Sequence, residues 1–182
     1  MEASVRTNGW PSLRVDDWTP TRDTLHMWTQ IVGKVRLAHM PLINHWWQVT
    51  LYVSPRGLTT GAIPYGTAVF DMDFDFVANV LAIRLSDGSE RSVPLASRPV
   101  AEFYGETLSA LDSLGIASQI VAHPNEVDPA IPFAEDFEHA EFDADRPIPS
   151  PKPGKSSTPD TPPPPATPPR ALLQSPRRCL LR

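Results

Sequence analysis

Fifteen residues, Gly33 to Trp47 (GKVRLAHMPLINHWW), pack a lysine, an arginine, two histidines, an asparagine and a tryptophan pair into one stretch. Lys34 offers a point charge and Arg36 a planar fork suited to a carboxylate or phosphate, while Asn44 and His45 offer orienting hydrogen bonds. Brought together, the four would make a corner for a small anion, with Trp46 as an apolar flank. His45, whose unperturbed pKa lies near neutrality, is the candidate general acid or base. The same residues also carry a purely structural reading. Cations in a helix's last turn are favoured by the dipole alone, Asn44 suits a turn after Pro41, and His45 and the tryptophan pair can fill a core.

A second constellation is Asp71, Asp73 and Asp75, which alternate with Phe70, Met72, Phe74 and Phe76. On a strand the three carboxylates share one face at about 7 Å spacing. They could face a hard divalent cation, but ligands from one strand are too far apart to close a coordination sphere, and a solvated sheet face explains them as well. A third reading pairs Asp75 with Arg36 or Arg84, and Asp75 joins the candidate ligand-binding set. The five histidines, His26, His39, His45, His123 and His139, show no HExxH or comparable ligand spacing. No P-loop, GxGxxG or GxSxG motif is present, and no cofactor or metal is expected.

The elements that must position these residues follow from periodicity. Thr19 or Thr21 can cap a helix running to about His39, because its hydroxyl would accept an orphan backbone N–H. Leu25, Trp28, Ile31, Val32 and Val35 recur at three and four and make its buried face; Arg22, His26, Gln30 and Lys34 recur at four and form a polar stripe. Pro41 stops the helix. From Trp46 to Val53 the period changes to two, which reads as a half-buried strand with Trp47, Val49 and Leu51 inward. Leu58–Ile63, Ala68–Phe76, Val80–Leu85 and Arg91–Leu95 read as further strands, the last two joined by an Asp87-Gly88 hairpin. Pro99 opens a second helix that Gly115 ends, and Ile116–Ala122 reads as a last strand. The expectation is an α+β fold, an antiparallel meandering sheet of about five strands packed by two helices.

Composition divides the 182 residues near position 145. Twelve of the 22 prolines lie between Pro147 and Pro176, and residues 146–182 carry seven Lys/Arg against one acid, +6. The chain's net −5 therefore leaves −11 for residues 1–145. The expected organisation is an α+β domain over 1–145 and a disordered, basic, proline-rich tail over 146–182. Within the tail, Pro165 to Arg170 fits the PxxPxR pattern of polyproline ligands, a pattern that chance supplies easily in proline-dense sequence. An acidic body repels phosphate backbones, so no nucleic acid is expected as a partner. No apolar run approaches a membrane span, and Cys179 alone excludes a disulfide framework within the chain. A cytoplasmic protein with a small anionic ligand as its possible partner fits these facts.

The combination of Gly33-Lys34-x-Arg36-Leu37, Pro41-x-x-Asn44-His45-Trp46-Trp47, Arg56-Gly57-Leu58-Thr59-Thr60 and Phe74-Asp75-Phe76-Val77 resembles an uncharacterised bacterial family, a domain of unknown function. The likeness continues through Phe103-Tyr104 into Pro132-Phe133 and covers roughly residues 10–145. It implies a family without an activity. Relatives continue into an ordered, aromatic- and histidine-rich second half that the proline-rich tail does not resemble. The expectation drawn from that departure is a truncated or frameshifted chain. Two functions follow: a small-ligand or partner-binding module at the Lys34/Arg36/Asn44/His45 corner, or an enzyme for an anionic or carbonyl-containing small molecule with His45 as acid/base.

Overall fold

The alternation FDMDFD builds the sheet. In the computed structural model, which describes residues 15–144, Ala68–Asp75 is the longest strand (β4), with Phe70, Met72 and Phe74 buried. The strands before it are β1 (Tyr52–Ser54), β2 (Gly57–Thr59) and β3 (Ile63–Tyr65); after it come β5 (Val80–Leu85) and β6 (Glu90–Pro94). All pairings are antiparallel, in the order β1-β2-β4-β5-β6, with β3 also paired to β4. Strands β2 and β3 lie against opposite ends of β4, opposite Asp73–Asp75 and Ala68–Phe70 respectively. Six strands thus fill five places in a meander, the architecture expected.

What separates β2 from β3 is Thr60. Its backbone N–H donates to Met72 O (3.0 Å), and its hydroxyl accepts the Met72 N–H (3.0 Å) while donating to Gly61 O (2.7 Å). The side chain stands in for the ladder at a break in the strand, and Thr60 is fully buried. Gly57 has a different constraint: a Cβ there would lie 2.0 Å from Phe74 O, so only hydrogen fits against β4.

Two helices cover the sheet's apolar face. Helix α1 (Val15–His39) contributes Trp28, Ile31, Val32 and Val35, and helix α2 (Val100–Ser113) contributes Val100, Phe103 and Leu111, to one cluster with Phe70, Met72, Phe74, Leu81 and Ile83. Trp28 stacks on Phe103 with ring centroids 4.6 Å apart and is fully buried. Leu51, Phe76 and Leu108 pack at its margin. The first N–H groups of α2 have no side-chain cap; Val100 and Ala101 donate instead to the carbonyls of His139 and Asp136. Gly115 ends the helix at φ 75.

Three local expectations are corrected. Helix α1 begins before Thr19 and Thr21, so neither caps it, and the Thr21 hydroxyl accepts the Asp143 N–H instead. Ile116–Ala122 forms no strand: Ala117 N–H goes to the Tyr65 hydroxyl, and Ala122 O accepts only the isolated Phe133 N–H. Most consequentially, the Trp46–Val53 strand is replaced over Asn44–Val49 by a 3-10 segment. His45 (φ 52) and Trp46 (φ 63) both adopt left-handed conformations, and Trp47, expected in the core, is 61% exposed. Trp10 and Leu13, which could pin an extended lead-in onto the domain, and the proline-rich tail with its PxxPxR match lie outside the described residues.

Candidate functional site

Helix periodicity places His26, Gln30 and Lys34 one above another on α1. Beside them run Thr29, Gly33 and Leu37, and these six residues floor a groove of about 670 Å³. One wall is Trp46, Val49 and Leu51; the other is Asn125 and Glu126. The first wall packs directly on the helix: Val49 O lies 3.7 Å from where a Cβ on Gly33 would sit, ordinary van der Waals distance.

The second wall is clipped to the helix. Asn125 N–H donates to Gln30 Oε1 (2.7 Å), and Gln30 Nε2 donates back to Asn125 O (2.9 Å). Buried Pro124 anchors the residue before, and Glu126 holds a left-handed φ of 57. So fixed, the Asn125 side-chain oxygen accepts a 2.7 Å hydrogen bond from Lys34 Nζ. Burial pushes the Lys34 ammonium below the usual lysine range. Among the described residues no carboxylate forms an ion pair with it.

Of the residues singled out by sequence, the groove brings together Lys34 and Trp46. Arg36 points elsewhere: 6% exposed, it donates to Thr50 O and lies 5.3 Å over the Tyr52 ring. It holds the segment that follows the 3-10 turn. Gln48, 1% exposed, holds the turn from inside by accepting the Ile43 N–H at 3.0 Å. Arg36 Nε and Gln48 Nε2 are buried donors with no acceptor among the described residues. Asn44 and His45 are exposed on that turn and do not line the groove. Their contribution is to the wall that carries Trp46, which is 58% exposed.

The aspartate row sits on the sheet and is divided between two arginines. Arg84 Nη1 takes Asp73 (2.7 Å) and Asp71 (3.2 Å), while Arg56 takes Asp75 at 2.6 Å. Asp75 thus pairs with neither Arg36 nor Arg84: β2, not α1, runs beside its end of β4, and the β5 register sets Val80 opposite Asp75 and Arg84 opposite Asp71. Burial, joined by the Asp73 charge, raises Asp71 above the usual carboxylate range despite Arg84. Burial would raise Asp75 too, but Arg56 and the Ala78 and Val77 N–H groups hold it below.

The family comparison agrees with the motif resemblance: residues 10–147 match DUF5996, a family of unknown function. The chain belongs to this family. No curated protein and no solved structure matches the chain significantly, so within DUF5996 the groove itself is the source of functional argument. Sequence reasoning missed Asn125 and Glu126, which only long-range packing brings to the site. The signal for the rest was present, in the four-residue recurrence of His26, Gln30 and Lys34. No described helix is long and apolar enough to cross a membrane.

Proposed function

We propose that this domain binds a small ligand with one acidic group on an apolar, ring-sized body, in the groove between α1, the Trp46 turn and Asn125. Lys34 faces the acid, and Trp46, Val49, Leu51 and Leu37 face the body. The observation that carries this reading is the state of Lys34. It is a cation partly removed from water, held in direction by a neutral amide, on the floor of a groove within the size range of small-molecule sites. Glu126 in the same lining, and the −11 of residues 1–145, select against polyanions. A cytoplasmic setting belongs to this reading, supported by a single cysteine.

Titration of the full chain with naphthalene-2-carboxylate against naphthalene-2-carboxamide, followed by tryptophan emission, tests it. The carboxylate should bind more tightly, and Lys34→Met should weaken it about ten- to a hundredfold, the worth of a hydrogen bond to a charged group. Affinity should fall as pH rises through the lowered Lys34 value, where the ammonium loses its proton. Equal binding of the two probes, unchanged in Lys34→Met, refutes the reading.

A further inference from the structure

Residues 1–145 contain a single lysine, Lys34; the others in the chain are Lys152 and Lys155. Arginines 22, 56, 84 and 98 each pair with a carboxylate, whereas the hydrogen bond of Lys34 Nζ among the described residues goes to the neutral Oδ1 of Asn125. A carboxylate neighbour would fix the ammonium form; an amide acceptor orients the nitrogen without adding charge. Gln30 holds the Asn125 backbone through two hydrogen bonds, so the fold sets where the amide that meets the amine can stand. The nitrogen lies in a groove of about 670 Å³ with one apolar wall, made by Trp46, Val49 and Leu51. Desolvation acts in the same sense, because it favours the neutral, nucleophilic amine.

We infer that Lys34 is a nucleophile that condenses with aldehydes or ketones bearing an acidic group to form an imine in this groove. The inference rests on the ligand-binding reading for the delivery of the carbonyl compound, and adds a covalent step to it. Neutral Nζ attacks the carbonyl carbon, the N–C bond forms, and the carbonyl oxygen takes up a proton to give a carbinolamine. The C–O bond then breaks, the oxygen leaves as water with the protons shed by nitrogen, and C=N remains. Nothing is oxidised or reduced. His26, whose Nε2 lies 3.2 Å from Gln30 Nε2, and Glu126 share the lining and are the side chains there that can exchange those protons.

The test treats the full 182-residue chain with 4-carboxybenzaldehyde and sodium cyanoborohydride, which reduces any imine to a stable amine, and measures the labelling rate at each lysine by peptide mass spectrometry. Lys152 and Lys155 act as reference amines in the same molecule, so no variant is needed. At pH 7 Lys34 should label about tenfold faster than either for each unit by which its pKa is lowered, and the lead should shrink as pH rises and all three amines lose their protons. Asn125→Asp places a carboxylate beside Nζ and should abolish the lead. Equal rates at the three lysines overturn the inference, while the non-covalent reading then stands or falls by the carboxylate titration. A lead that persists with unsubstituted benzaldehyde supports the nucleophile and removes the acidic group from its substrate.

Discussion

Replacing Gln30 with alanine removes both hydrogen bonds that tie Asn125 to α1, and with them the only direct clip between helix and loop at the groove besides Lys34 among the described residues. The two partners are 95 residues apart, so no local geometry restores the contact. The site is solvent-accessible, so each bond contributes roughly 0.5–1.5 kcal/mol. Together they stabilise the closed loop by about 1–3 kcal/mol, and losing them should raise its open population about five- to 150-fold. Amide hydrogen exchange at Asn125 reads that population directly, because its N–H is one of the two bonds. Gln30→Glu separates the two contributions. The glutamate oxygen still accepts the Asn125 N–H, but the donor to Asn125 O is gone and a carboxylate now lies one helical turn from Lys34. Protection should fall in the order wild type, Glu, Ala, and imine formation at Lys34 should slow in Glu. If Gln30→Ala leaves Asn125 exchange unchanged while the protein stays folded, the loop is held by something else, and the reasoning about a preset amine direction fails.

Two further outcomes test the frame that carries the groove. Thr60→Val keeps the shape but leaves the Met72 N–H and Gly61 O without the hydroxyl, so it should cost about 2–4 kcal/mol, against about 1 kcal/mol for Thr60→Ser, measured by chemical denaturation; equal losses would sink the ladder role. His39, bonded to Ser118 Oγ at 2.7 Å and set edge-on to Tyr65 and Phe70, is pushed by burial below the ordinary value of 6.5. Its folded-state pKa is depressed, so the stability it contributes is complete above pH 6.5 and is lost as pH falls through the folded value; thermal melts of His39→Gln should show a flatter pH profile over that range than wild type.

Where apolar spacing and fold agreed, the sequence was readable. The stripe Trp28, Ile31, Val32, Val35 and the alternation around Phe70, Met72 and Phe74 each describe one element with one buried face, and both are in the core. Asp87-Gly88 works for the same reason: Gly88 takes φ 91, and Asp87 accepts the Ser89 N–H at 2.7 Å, all within the turn. Of the strand read over 46–53 only Tyr52 and Val53 join a ladder, in β1; before them the alternation is genuine but its cause is not a ladder. Arg36, fourteen residues away, claims Thr50 O, and Gln48 rather than Trp47 or Val49 is the fully buried side chain. The candidate site was half legible. A helical stripe announces His26, Gln30 and Lys34, but nothing near Asn125 in the sequence announces that it will meet them.

The order of the strands bears on how the chain becomes organised as it is synthesised. Each strand pairs with one close to it in sequence, so the sheet can zip from local contacts, the kind that form fast. Helix α1 emerges before all of them, yet Gln30 and Thr21 find their partners 95 and 122 residues later. Until residue 143 is made, the earliest helix carries the apolar stripe of Trp28, Ile31 and Val32 with its cover incomplete. The nascent chain is therefore most vulnerable to chaperone capture or misassociation at α1, and the groove cannot close before Asn125 and Glu126 are made.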